Sequence, residues 1–191
     1  MKTRPSRQLA RRVMVTAFLL AVAVPVQGQE AFRKAIRTAL PSVVKIASGR
    51  RSLFRRRTEF MAASGVVVSA DGYIVSCASV LGKSRRVTVT LPDGSKTSAR
   101  IVRTDASADL VILRVSRKGL RPITMHTAGL PGVGQWVVTI GNPFGLARTR
   151  TDSLSASVGV VSAVRPVTAR DFTYTDPVVL TDIAVNPGGS G

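Results

Sequence analysis

The sequence predicts an all-β fold, many short antiparallel strands closed as a sandwich or barrel. Three observations carry this. Runs rich in β-branched residues recur from residue 61 to residue 185. Turn signals separate them, at Asp71-Gly72, Pro92-Asp93-Gly94 and Asn142-Pro143. No segment of helical periodicity and useful length follows Pro41. The 191 residues suit one domain, or two small barrels sharing an interface. A composition 45% hydrophobic and only 20% charged supports a packed core and excludes a disordered chain.

Residues 1–28 read as a secretory signal. Lys2, Arg4, Arg7, Arg11 and Arg12 form a positive n-region without an acid, and an apolar run extends from Val13 to Val26. That run contains Pro25 and is shorter than the roughly 20 residues that span a bilayer. Cleavage is expected after Gly28, before Gln29, placing the protein in the periplasm, in the cell envelope or outside the cell. The pair Arg11-Arg12 also fits a twin-arginine export signal. Residues 30–40 place Ala31, Ala35, Ile36 and Leu40 at helical spacing, so a short amphipathic helix is expected, stopped by Pro41.

Residues 42–48 follow as a strand. Residues 49–60 carry five arginines and one acid and read as a solvated loop. Strands are then expected at 61–70 and 73–81, joined by the Asp71-Gly72 hairpin, and at 87–91, 98–104 and 109–116. The looser, glycine- and proline-containing stretch 116–134 reads as a link between two halves. Three more strands are expected at 135–141, 155–164 and 178–185. The domain reading is therefore a signal at 1–28, a helix at 29–41, a first barrel over 42–124 and a partial second barrel over 125–191.

The net charge is +18, and removing the five cations of residues 1–28 leaves +13. Such a balance attracts anionic surfaces without naming one, so weak binding to them is expected, with residues 50–57 as a cationic patch and no specific nucleic-acid ligand. Cys77 is the only cysteine, so no internal disulfide forms, and it is expected to be a small core residue. No Cys/His cluster exists to hold a metal, and no cofactor is implied. His126 is the only histidine and reads as a surface residue of the connector.

The stretch richest in chemistry is the last, Thr181-Asp182-Ile183-Ala184-Val185-Asn186-Pro187-Gly188-Gly189-Ser190-Gly191. A serine among glycines can sit on a tight turn that brings backbone N–H groups near a reacting oxygen. Taken alone, this is more often a flexible turn. It does not stand alone. ASGVVVSADGYIVS at 63–76, DASADLVILRV at 105–115, VGQWVVTIGNPFGL at 133–146, GVVSA at 159–163 and TDIAVNPGGSG at 181–191 occur in order. This set resembles the protease domain of HtrA/Deg-type trypsin-like serine proteases, from about Pro41 to Gly191.

The resemblance implies a trypsin-like double β-barrel with the active site in the cleft between barrels. The first barrel is expected to be complete and the second incomplete, since the chain ends before the strands that close it in the family. Ser190 falls on the nucleophile and Asp109 on the aspartate that orients the histidine. Gly188 and Ser190 fall on the oxyanion-hole donors, and Val185 falls where the family shapes the pocket for the substrate's P1 side chain. Gly189 replaces the asparagine usual before the serine. The histidine position holds Ser79, within Ser76-Cys77-Ala78-Ser79-Val80-Leu81. A second serine is a far weaker base than imidazole. Loss of such a histidine costs on the order of 10⁶ in kcat.

Three readings of function follow. The first is a pseudoprotease, inactive or strongly impaired, that binds peptides or unfolded protein in its cleft. The second is an active serine endopeptidase, substrate-assisted by a histidine in the peptide or belonging to a longer enzyme. The third is a basic envelope-binding protein. The resemblance also implies self-association, supported by residues 29–45.

Overall fold

The computed structural model describes residues 28–51, 58–79, 81, 86–147, 149, 152–169, 172–187 and 189. The leader, the centre of the arginine-rich segment, and Gly188, Ser190 and Gly191 lie outside the described residues. The chain separates into two compact units, Met1–Arg33 and Lys34–Gly191. The helix α1 runs Gly28–Ala39, and none of its residues is buried. Its Glu30 in the first turn and Arg37 in the last match the helix dipole. A 3₁₀ turn at Leu40–Ser42 carries Pro41 in its first turn and ends at Val43, where the backbone becomes extended.

Six strands then close a barrel: β1 (Val43–Arg51), β2 (Thr58–Val67), β3 (Tyr73–Cys77), β4 (Arg86–Thr90), β5 (Lys96–Asp105) and β6 (Leu110–Val115). Their order around the barrel is β1-β2-β3-β6-β5-β4, all pairs antiparallel. Alternation places every second residue inside. Val44 and Ile46 of β1, Ile74 of β3, Val87 and Val89 of β4, Ala99 of β5 and Val111, Leu113 and Val115 of β6 form one buried cluster with Ala63, Val67, Leu81 and Leu91. Closure removes the free edges that a six-stranded sheet would otherwise present.

The expected loop at 49–60 is shorter than the charge run suggested. Gly49 pairs with Phe60, Arg50 with Glu59 and Arg51 with Thr58, so both strands continue through the charged residues. A charge run reports where side chains are solvated; the ladder uses only backbone groups. Cys77 also departs from expectation. It ends β3 half-buried, opposite exposed Leu110 on the outward face, and is not a core residue.

The connector 116–135 holds no strand, and His126 is exposed in it. Its Ile123 N–H donates to the Val67 carbonyl (2.9 Å), which ties it to the first barrel. Beyond it, β7 (Trp136–Gly141), β8 (Ser155–Ala169) and β9 (Phe172–Thr181) form a three-stranded sheet in that order. The β8–β9 hairpin extends past the expected strands, through Pro166 and Pro177, while residues 182–185, expected in the last strand, lie outside β9. Pro166 falls at the register shift between Arg165 and Val167, where its missing N–H costs the ladder nothing. This sheet buries little: Val161 is covered, while Trp136 is 61% and Val158 41% exposed.

Lys45 points from β1 toward the loop after β7. It is buried, and its Nζ donates to the carbonyls of Thr149 (3.0 Å) and Asp152 (3.1 Å). That loop is thereby held against the first barrel by a side chain of the barrel wall.

Candidate active site

Ser79 and Asp109 meet although 30 residues separate them. The Ser79 N–H donates to Asp109 Oδ1 (2.7 Å) and the Ser79 hydroxyl to Asp109 Oδ2 (2.8 Å). The Ala78 N–H also donates to the Asp109 carbonyl (3.0 Å). Three hydrogen bonds thus clamp the residues just after β3 to the residue just before β6. The pairing of β3 with β6, Cys77 opposite Leu110, brings those two strand ends together.

Asp109 adopts φ 50°, in the left-handed region. A non-glycine residue there costs about 1–2 kcal/mol, and aspartate is among the few that visit it routinely. The turn that delivers it is shaped by Asp105. Its Oδ1 accepts from the Ser107 hydroxyl (2.6 Å), the Ser107 N–H (3.0 Å) and the Ala108 N–H (3.2 Å).

The Ser107 hydroxyl is the largest influence holding the Asp105 carboxyl below its ordinary value of 3.8; the Ala108 and Ser107 N–H groups and Arg103 act in the same direction. A folded carboxyl that is depressed stabilises the fold above the unfolded value and loses that contribution as pH falls through the folded one. Ser107→Ala should therefore move the Asp105 titration upward, toward its ordinary value. Carboxyl NMR titration of both proteins checks this; an unchanged curve would show that the hydroxyl is not the cause.

A second part of the site is built on Asn142 and Ser64, both buried. Asn142 Oδ1 accepts from the Ala147 N–H (2.8 Å), and its Nδ2 donates to the Ala147 carbonyl (3.3 Å), so one side chain closes the loop 142–147. The Asn142 N–H donates to Ser64 Oγ (2.9 Å), and the Ser64 carbonyl accepts from the Ser76 hydroxyl (2.6 Å). Sequence reasoning took Asn142-Pro143 for a turn and missed this bracing role. The signal was the asparagine itself, whose amide can satisfy both backbone groups of one residue.

The third part is the final turn. The Gly189 N–H donates to the Asn186 carbonyl (2.9 Å), and the Pro187 carbonyl accepts from the Phe144 N–H (2.5 Å). Gly189 lies against Gly141 and Ser64: a Cβ built on Gly141 would come within 3.1 Å of Gly189 Cα, Gly189 O and Ser64 Oγ. Gly189 is therefore packed against the end of β7, where Gly141 also meets the buried Ser64 of β2. That serine is bonded to Ser76, three residues before Ser79. Val185, on the approach to this turn, is 67% exposed. Gly188 and Ser190 lie outside the described residues. Among the described residues, no group of three or more His, Cys, Asp or Glu side chains is placed to hold a metal ion.

A closed six-stranded antiparallel barrel followed by a partial second sheet matches one known architecture. Residues 63–191 match the profile of the trypsin-like peptidase domain. The chain belongs to that family, in its HtrA/Deg branch. A probable periplasmic serine endoprotease, DegP-like, of Halomonas elongata is 38% identical over 128 residues, covering 67% of this chain and 25% of the relative. Its counterpart in Ectopseudomonas mendocina is 32% identical over 160 residues, covering 84% of this chain and 31% of the relative. The chain thus spans about a quarter to a third of the length of these curated relatives. Among solved structures, a serine endoprotease from Yersinia pestis superposes with a TM-score of 0.66 at 29% identity, covering 88% of this chain and 53% of that one. The HtrA-type protease AlgW with a tripeptide superposes at 0.72 and 29%, covering 84% of this chain and 48% of AlgW. The all-β double-barrel class expected from the sequence is the fold observed, with one barrel closed and the second represented by a sheet.

Proposed function

We propose that this HtrA-type domain is an exported, catalytically impaired protease that binds peptides or unfolded protein in the cleft beside Ser79. In this reading Ser190 holds the nucleophile position, Asp109 the orienting acid, Gly188 and Ser190 the oxyanion-hole donors, and Val185 the P1 pocket. The observation that carries it is the Ser79–Asp109 pair. Both carboxylate oxygens accept from Ser79, one from its N–H and one from its hydroxyl. The serine hydroxyl donates its hydrogen bond to Asp109, and position 79 offers no imidazole to take a proton from Ser190. The aspartate's place is kept, and what it orients is not a base.

Substrate-assisted catalysis, with a peptide histidine filling the gap, is less well supported by this geometry. An incoming imidazole would have to displace the Ser79 hydroxyl from Oδ2. The export reading rests on the leader and on relatives named as periplasmic; peptide binding rests on neighbours solved with peptides.

The test uses the full chain. Labelled unstructured peptides, with and without histidine, should bind, as read by fluorescence anisotropy, without being cut over a long incubation. Ser190→Ala should leave both results unchanged. Cleavage that Ser190→Ala abolishes would overturn the impairment. Absence of binding to every peptide would remove the cleft function.

A further inference from the structure

We infer that the outer wall of the first barrel at β4, β5 and β6 is a docking surface for the phosphate headgroups of an anionic membrane. Three arginines stand in one row across neighbouring strands: Arg86 of β4 pairs with Arg100 of β5, and Arg100 pairs with Arg114 of β6. The row continues to Tyr73 of β3, which pairs with Arg114 and carries its guanidinium 4.3 Å over the ring centroid. Arg86 and Arg100 are exposed and Arg114 is half-buried. Arg103, opposite Ile112 in the same sheet, is also exposed.

Like charges directly opposite each other in a sheet are destabilising. Tyr73 relieves Arg114 from one side, and no acid separates Arg86 from Arg100. Asp105 is the one acid within strands β3 to β6 among the described residues, and it is engaged by Ser107, Ala108 and the charge of Arg103. No carboxylate lies in ion-pair distance of Arg86 or Arg100 among those residues. Arginines whose backbones stand about 5 Å apart, strand to strand, offer guanidinium donors to phosphate oxygens. An anion would remove a repulsion that the fold leaves standing.

The surroundings favour a membrane over a nucleic acid. Val102 (44% exposed) stands between Arg100 and Arg103, and Leu110 (45% exposed), opposite Asp105, lies further along the same wall. Cations flanked by exposed apolar side chains suit the boundary between headgroups and acyl chains. Single-stranded nucleic acid needs free aromatic faces to stack on, and the one aromatic of the row, Tyr73, already holds Arg114. This surface differs from the 50–57 segment expected from the sequence, and its role stands whether or not Ser190 reacts.

The experiment is co-sedimentation of the full chain with vesicles of equimolar phosphatidylglycerol and phosphatidylcholine. Pure phosphatidylcholine vesicles report any contribution of the apolar leader. The triple variant Arg86→Gln, Arg100→Gln, Arg114→Gln should lose about fivefold in binding per arginine, roughly 100-fold in all. A control, Lys118→Gln, Arg121→Gln, Arg165→Gln, removes the same charge from other exposed positions and should bind nearly as the parent does. Parent binding should fade as salt rises. The triple variant removes repulsion but also the Arg114–Tyr73 contact, so its thermal midpoint should stay near the parent's, and that midpoint shows that lost binding does not reflect unfolding. Equal losses in the two variants would reduce the effect to net charge and overturn the site. So would absence of parent binding, or tighter binding of a short duplex DNA through the same three arginines.

Discussion

Replacing Ser79 with histidine is expected to switch on peptide-bond hydrolysis, raising the rate by between about 10³ and 10⁶-fold over the parent. The Ser79 N–H to Asp109 Oδ1 bond is made by the backbone, so it does not depend on the side chain at position 79. It holds the Cβ of residue 79 facing the carboxylate. The hydroxyl already reaches Oδ2 at 2.8 Å, which is the oxygen an imidazole Nδ1–H would meet. The other ring nitrogen would then be free to act as the general base, as in the serine–histidine–aspartate template. The chain order 79, 109, 190 is that of the histidine-aspartate-serine arrangement on trypsin-like barrels. Cleavage of an unfolded protein should appear in Ser79→His and vanish again in Ser79→His combined with Ser190→Ala. A folded Ser79→His that cuts nothing would mean that the 186–190 turn is not competent, and the loss would lie deeper than one base.

The second large effect concerns the hairpin between β2 and β3. Gly72 has φ 96°, and a Cβ there would lie 2.5 Å from the Val115 carbonyl oxygen and 2.8 Å from that of Arg117. Both obstacles are backbone, so no side chain can rotate away. The Gly72 carbonyl also accepts from the Val115 N–H (3.0 Å), which ties this turn to the end of β6. Gly72→Ala should cost about 2–5 kcal/mol, the sum of a left-handed alanine and overpacking against main chain. Gly119→Ala is the matched control: φ is 72°, yet no atom lies within 4 Å of the added Cβ. It should cost only the conformational part, about 1–2 kcal/mol. Urea unfolding separates them, with midpoints shifted and slopes kept. Equal costs in the two variants would show that contact with Val115 and Arg117 contributes nothing.

Much of this protein was legible in its sequence. Alternation of apolar and polar residues in β4 marked its inner face, because a strand's side chains can only point two ways; in β6, apolar on both faces except at Arg114, only the structure told inside from outside. Asp71-Gly72 marked a hairpin because the turn needs a backbone that glycine alone adopts freely. The order of motifs gave the family. Strand extents were harder to read. Charge in 49–60 and proline in 166 and 177 describe side chains and single donors, while strand pairing is decided by a partner that may lie far along the chain.

What the sequence by itself determined, then, is the fold class, the order of its elements and the residue types available for chemistry, since these follow from local periodicity and turn stereochemistry. The tertiary structure alone decided which distant residues meet. Antiparallel pairing of β3 with β6 joined Ser79 to Asp109. Register across β4, β5 and β6 set Arg86, Arg100 and Arg114 in one row. Lys45 was read as part of a strand and became the anchor of a loop more than a hundred residues away. These juxtapositions depend on register between strands, and register is set by the whole barrel closing around its core.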